Sequence, residues 1–252
     1  MTDVVLTEDR DRVRLLTFNR PDRANAFNET LYHAAADALR AAATDDDVAV
    51  VVLTGAGKAF SAGTDLHEMA ETVPDGTSER PSRTGFPAFV DVLQEFPKPL
   101  LAAVNGSAVG LGFTMLAHCD LVFVSDNARL LAPFTTMGVA PEAASSYLLP
   151  RRMGRQRASL SLFTSDWVTA EDAVATGLAV QQCRPESLVD ETMALATRIA
   201  SKSLPSLMAT KRLLLDAERE GIVRARELEN QAFAELLALP NAREGVLGQL
   251  DG

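Results

Sequence analysis

The chain has two cysteines, three histidines, one tryptophan and two tyrosines among 252 residues. Cys119 and Cys183 give no disulfide framework, and each reads as a small buried hydrophobe rather than a reactive thiol. His33, His67 and His118 are scattered without metal-ligand spacing, so no metal site is expected. Positive charge is also scarce: 24 Lys and Arg stand against 34 Asp and Glu, a net charge of −10. That balance argues against a nucleic-acid or anionic-membrane surface, while leaving room for a local basic patch. No apolar run reaches membrane-spanning length, and MTDVVLTEDRDR has no signal-peptide core. GQLDG carries no peroxisomal tripeptide, and a cytoplasmic protein is expected.

What is present is apolar and patterned. With 47% hydrophobic residues the chain can bury a full core, as one domain or a domain plus a helical appendage. Val4 to Thr7 and Val13 to Phe18 read as paired strands joined by the polar turn Glu8 to Arg12. Asn28 caps a helix running to about Ala43, with Phe27 and Tyr32 placed as a hydrophobic staple. A short helix starts at Asp65, and another runs from about Pro87 to Phe96. Glu71 to Gly85, poor in apolar residues, reads as a mobile loop. After Thr169 the pattern is helical to the end. Pro205 lies near one helix start, Gly221 follows its end, and Pro240 stops the last helix. Periodicity alone supports a mixed α/β sheet.

Two segments carry the chemistry. Pro99 to Val104 is an apolar strand that enters a turn with Gly106, Gly110 and Gly112, then an apolar helix from Leu111 to the strand Leu121–Val124. The run Val48 to Leu53 leads likewise into Thr54 to Leu66, where a second glycine-bearing turn opens a second helix. A continuous apolar strand of this kind suits a parallel sheet covered on both faces. The first N–H groups of a helix have no partner inside it and point at whatever stands in front. Two such turns can aim one N–H each at a common point, which is a two-donor oxyanion hole. The alternative reading is two ordinary helix N-termini.

The segments NRPDRANAFNETL (19–31), GAGKAFSAGTDL (55–66), AVNGSAVGLGFTMLAHCDLVFVSD (103–126) and TAEDAVATGLAV (169–180) resemble the enoyl-CoA hydratase/isomerase, or crotonase, superfamily. The resemblance covers nearly the whole chain in the right order and spacing. It implies an α/β fold, a spiral of ββα repeats over residues 1–200, with a helical region at 201–252 used in oligomerisation. It also implies a homotrimer or dimer of trimers, with helices such as Leu188 to Ala200 packing between subunits rather than in the chain's own core. The substrate it implies is an acyl-CoA, so coenzyme A enters with the substrate and no cofactor is expected.

The resemblance places the oxyanion donors at the backbone N–H groups of Thr64 and Leu111. Asp65, in a first helical turn, is read as structural, because the helix dipole favours a carboxylate there. Hydratases of the family position water with two glutamates, and Thr114 and Phe134 stand at those positions here. Losing a general base gives up a factor of about 10²–10⁴. A replacement is visible in APFTTMGVAPEAASSYLLP (132–150), which is similar to the corresponding stretch of the peroxisomal-type Δ3,Δ2-enoyl-CoA isomerases. There the residue at the position of Glu142 is the catalytic base. Burial among Val139, Ala140, Pro141, Ala143 and Ala144 would raise its pKa; without the resemblance, Glu142 reads as a helix-start glutamate.

For CoA, the resemblance points to the backbone around Ala24 to Ala26 and Ala62 to Leu66, including Gly63 and Asp65, with Gly110 and Phe134 also counted among the substrate- and CoA-binding residues. Arg23, Lys58 and Lys211 are candidate phosphate partners. Relatives often end with EG-x-x-AF-x-EKR, whose lysine reaches a CoA phosphate, whereas this chain reads EGVLGQLDG. The expected activity is conversion of 3-enoyl-CoA to 2-enoyl-CoA. Hydration, thioester hydrolysis and non-catalytic acyl-CoA binding are the alternatives.

Overall fold

The computed structural model describes residues 3–72, 84–239 and 248. The chain opens with an antiparallel hairpin, β1 (Val5–Arg10) against β2 (Val13–Phe18). Its turn is tighter than the sequence suggests. Only Asp11 and Arg12 lie in it, with φ of 50° and 64°, the two-residue geometry whose twist matches the flanking strands. A 3-10 turn at Pro21–Arg23 leads to α1 (Glu29–Thr44). The Asn28 side chain accepts from Leu31 N at 3.0 Å, and the Phe27 and Tyr32 rings lie 5.0 Å apart, so cap and staple both form. Leu31, Ala35, Leu39 and Ala42 recur at helical spacing and are buried. Lys98 Nζ ties down the other end of this helix, donating to the carbonyls of Ala42, Asp45 and Val48.

Strand–strand–helix units follow. The first is β3 (Val50–Gly55), β4 (Ala59–Ser61) and α2 (Leu66–Thr72), then α3 (Gly85–Glu95). The second is β5 (Leu100–Val104), β6 (Ser107–Val109) and α4 (Leu111–Thr114), extended by a 3-10 turn at Met115–His118. The third is β7 (Leu121–Ser125), β8 (Arg129–Leu131) and α5 (Ser145–Met153). The rest comprises α6 (Arg155–Thr164), β9 (Val168–Thr169), α7 (Ala170–Ala175), β10 (Gln181–Cys183), α8 (Leu188–Ala200) and α9 (Leu204–Leu237).

The first strand of each unit joins a six-stranded sheet of order β1-β2-β3-β5-β7-β10. The second joins a four-stranded sheet of order β4-β6-β8-β9. Pairing between successive units is parallel in both sheets, so the chain climbs as a ββα spiral. β3 shows why the central strands are apolar throughout. Val51 and Leu53 enter one core with α1, and Val50 and Val52 enter a second on the opposite face of the sheet.

Several expectations need correction. The glycine turns after β3 and β5 each contain a short strand, β4 and β6, too brief to register as a period. The region beyond Thr169 is not helical throughout, because β10 pairs with β7. Gly221 does not follow a helix end; it lies inside α9, where a Cβ would stand 2.1 Å from the Tyr147 ring. That close approach, not a cap, calls for glycine. Leu188, Met193, Ala196 and Ala200 of α8 are buried against Val50, Val52, Leu101 and Ala103, inside this chain's own core. Pro240 and residues 73–83 of the expected loop lie outside the described residues, and α9 ends at Leu237. Among the described residues no helix is long and apolar enough to cross a membrane.

Candidate active site

β4 and β6 lie side by side and deliver the segments that follow them to one cavity of about 520 Å³. Phe27 and Thr64 form a lone parallel bridge: Phe27 N donates to Gly63 O at 2.7 Å and Asp65 N to Phe27 O at 2.9 Å. The Thr64 N–H is left over. On the other side Leu111 is the first residue of α4, so its N–H has no acceptor within the helix. Neither N–H donates to a protein acceptor among the described residues, and both residues line the cavity. Gly63 makes their proximity possible. Its φ is 83°, and a Cβ there would lie 2.5 Å from Val109 O and 3.3 Å from Leu111 N.

A buried polar knot fixes this arrangement from behind. Asn25 Nδ2 donates to the carbonyls of Ala56 and Ala59, and its backbone oxygen accepts from Ser61 Oγ at 2.9 Å. Ser61 Oγ in turn accepts from Gly63 N at 3.0 Å. Asp65 proves to be a cap placed just before α2, accepting from His67 N at 3.2 Å and pairing with Arg20 at 3.3 Å. The Tyr32 hydroxyl lies 2.8 Å from Thr64 Oγ1, and burial pushes its pKa well above the usual phenol value.

Glu142 enters the same cavity from the loop between β8 and α5, alongside Pro133, Phe134, Met137, Val139 and Pro141. Thr114, on α4, donates its hydroxyl to Glu142 Oε1 at 3.0 Å. Burial pushes the Glu142 carboxyl up to about 8, against the Thr114 bond that favours its charged form, and the Glu229 carboxylate adds to the rise. Glu142 is not a helix-start residue. Ala143 and Ala144 follow it with φ of 57° and 58°, and α5 begins only at Ser145. A carboxyl in this environment can take up and return a proton near neutral pH, facing two free backbone donors.

The model of the enoyl-CoA hydratase/isomerase family matches residues 8–250. This chain belongs to that family. It is 34% identical over 251 residues to the 2,3-dehydroadipyl-CoA hydratase of Escherichia coli, covering 98% of this chain and 94% of that protein. It is 35% identical over 221 residues to human enoyl-CoA delta isomerase 2, covering 86% of this chain and 56% of the isomerase. A crystal structure of an enoyl-CoA hydratase/isomerase from Pseudoalteromonas atlantica superposes with a TM-score of 0.91 at 35% identity, covering 98% and 97% of the two chains. The protein is thus an enzyme of the enoyl-CoA hydratase/isomerase family on a crotonase-type fold, and its relatives include hydratases and isomerases at similar identity.

Of the residues singled out in this family member's sequence, Thr64, Leu111, Glu142, Ala62, Leu66, Gly110 and Phe134 meet at the cavity. Gly63 is buried behind them. Ala24 O accepts from Ala62 N at 2.8 Å, joining the Ala24–Ala26 loop to the oxyanion segment from outside the lining. Arg23 and Lys58 are exposed and form no ion pair among the described residues. Lys211 is not a phosphate partner. It is 3% exposed and bonded to both oxygens of Asp120 at 2.7 Å. Among the described residues no His, Cys, Asp and Glu cluster could hold a metal ion. Sequence reasoning missed Thr114 as a partner of the carboxyl, and Glu229 and His118 as partners of the turn that follows it. Residues so far apart in the chain give no local signal.

Proposed function

We propose that this enzyme shifts the double bond of a 3-enoyl-CoA to give 2-enoyl-CoA. The observation that carries the reading is the Glu142 carboxyl, bonded to Thr114 and facing the Thr64 and Leu111 N–H groups across one cavity. The positions of the two hydratase glutamates hold Thr114 and Phe134, neither of which can act as a base.

The steps follow from these parts. The C2 protons of a 3-enoyl thioester are acidified by the carbonyl and the adjacent double bond. Glu142 takes one, and the electron pair spreads over a dienolate whose charge gathers on the thioester oxygen. The Thr64 and Leu111 N–H groups stabilise that oxygen. Protonated Glu142 then gives the proton to C4, and the carbonyl re-forms with the double bond at C2–C3. CoA is carried as part of the substrate, and no separate cofactor takes part. Assembly into homotrimers belongs to the same proposal, supported by Leu213, Leu214, Val223 and Leu228, which α9 exposes to solvent.

The deciding measurement is turnover of trans-3-enoyl-CoA and 2-enoyl-CoA side by side. Isomerisation is expected to exceed hydration by at least about 10²-fold in kcat/KM, the general-base factor a hydratase would forgo here. Comparable hydration would overturn the assignment. Because Glu142 must be ionised to act, kcat/KM for 3-enoyl-CoA should rise about tenfold per pH unit below about 8 and level off above it.

A further inference from the structure

The turn that carries Glu142 adopts a conformation its own sequence does not favour. Ala143 and Ala144 both have positive φ, which alanine adopts only when its surroundings impose it. Two buried side chains grip the turn. Glu229, reaching from α9, accepts Ala144 N–H at 2.7 Å and Ser146 N–H at 2.8 Å. His118, on the 3-10 turn after α4, lies with Nε2 2.7 Å from Ala143 O. Burial lowers its pKa to about 4, so near neutral pH the ring is uncharged and its Nε2–H is the donor. Both residues are nearly fully enclosed, and Glu229 also reaches the cavity wall.

We propose that Glu229 and His118 are positioning residues, clamping the 142–146 turn from its N–H and C=O sides and so fixing where the Glu142 carboxyl stands. The inference rests on Glu142 being the base, as proposed above. Polar groups this deeply buried cost stability unless their bonds are made, and here the bonds are made to the strained turn that follows Glu142. The negative charge of Glu229 has a second effect, making Glu142 hold its proton more tightly. Among the described residues, Thr114 from α4 and Tyr32 from α1 also act on or face Glu142, and the Glu29 and Glu68 carboxyls line the same cavity. Arg226 of α9, held by Asp91 and Gln94 of α3, faces Glu229. Arg226, Lys211 and Arg152 surround His118.

Glu229→Gln removes the charge and one of the two acceptors while keeping the shape. Plateau kcat for 3-enoyl-CoA should fall by about 10- to 100-fold with KM within about threefold, the signature of a misplaced base. The acid limb of the pH profile should move down by about one pH unit as the like charge is lost. Adding Ala144→Gly, which accepts positive φ without strain, should recover roughly half of the logarithmic loss in kcat but leave the limb displaced. A lowered melting temperature with unmoved kcat and limb would overturn the clamp.

The other jaw gives an independent arm if Glu229→Gln does not fold. His118→Ala should lose rate, while His118→Gln, which retains a side-chain N–H, should keep most of it; equal rates in the two overturn the clamp. Carboxyl NMR of glutamate-labelled protein, with the Glu142 signal assigned by its loss in Glu142→Gln, reads the midpoint without any turnover. If that midpoint falls in Glu229→Gln but the parent does not isomerise 3-enoyl-CoA, the clamp stands and the assigned reaction fails. If the parent isomerises and neither midpoint nor kcat moves, the reaction stands and the clamp fails.

Discussion

The two walls of the cavity are built by different means. On one, Thr64 and Leu111 offer backbone N–H groups placed by β4, β6 and the knot around Asn25 and Ser61. Their side chains are incidental to that function, so the fold itself carries it. On the other, one side chain acts, Glu142, and the loop that bears it is held by contacts from α4, α9 and the 3-10 turn. A backbone donor survives almost any substitution that leaves the fold intact. A side-chain base on a clamped loop can be exchanged, moved or retuned by single changes, which is how one scaffold can host more than one reaction.

The comparison is broken most severely at the side-chain wall. Glu142→Gln keeps size and removes basicity, so kcat should fall by about 10²–10⁴-fold with thioester binding nearly intact. Glu68→Gln, altering another carboxylate of the cavity, is the contrast; if it is the damaging change, the roles are misassigned. A stability effect of opposite sign should accompany the loss. The folded-state pKa of Glu142 is raised from 4.5 to about 8, so across that window the folded protein holds a proton that the unfolded chain releases. Stability therefore falls as pH rises through the window, and glutamine, which does not titrate, escapes the loss. Glu142→Gln should melt several degrees above the parent at pH 8 and level with it near pH 5.

The backbone wall is tested by deleting a donor without altering charge. Leu111 is the first residue of α4, where proline is tolerated because the missing N–H has no helical partner. Gly110, before it, lies at φ 53° and ψ −119°, outside the helical region that a following proline would disfavour. Leu111→Pro should cost about 10²–10³ in kcat, and Leu111→Ala, which keeps the donor, should stay within about tenfold of the parent. Circular dichroism and melting curves establish that the proline variant is folded. A folded Leu111→Pro enzyme at near-parental rate would show that no oxyanion is held there.

The same division explains what could be read from the sequence. The apolar central strands, the two donor turns and the cap at Asn28 leave local marks: apolar runs, glycines at fixed offsets, a polar residue before a periodic segment. The spiral that joins them is legible only by resemblance, since periodicity alone supports no more than a mixed α/β sheet. Glu142 is legible only by resemblance, since its neighbours suggest a helix start and the structure puts two left-handed alanines after it. Short strands such as β4 and β6 are hidden by their three-residue length. Gly221 misleads for a tertiary reason, because only the folded chain brings Tyr147 against it. Lys211 looks like a free cation until Asp120 arrives from a distant part of the chain. Local chemistry is written locally, and long-range pairing is not.

Thr114 belongs to both walls, and its effect should be the smallest and the most discriminating. It sits on the helix that begins with the oxyanion donor Leu111, yet its hydroxyl donates to Glu142 Oε1 at 3.0 Å. Thr114→Val replaces the hydroxyl by a methyl of similar size at a fully buried position, so packing should be largely kept. A bond to the charged carboxylate favours ionisation, and its removal should raise the pKa of Glu142 by about one unit. The acid limb of kcat/KM should accordingly move up, costing about tenfold at neutral pH and little on the high-pH plateau. Glu229→Gln should move the same limb down. Opposite displacements from two neighbours of one carboxyl are not what general destabilisation produces, since that would lower both plateaus and leave both midpoints in place. A Thr114→Val limb coincident with the parent's would mean that the hydroxyl does not act on the base, and the two walls would then be independent.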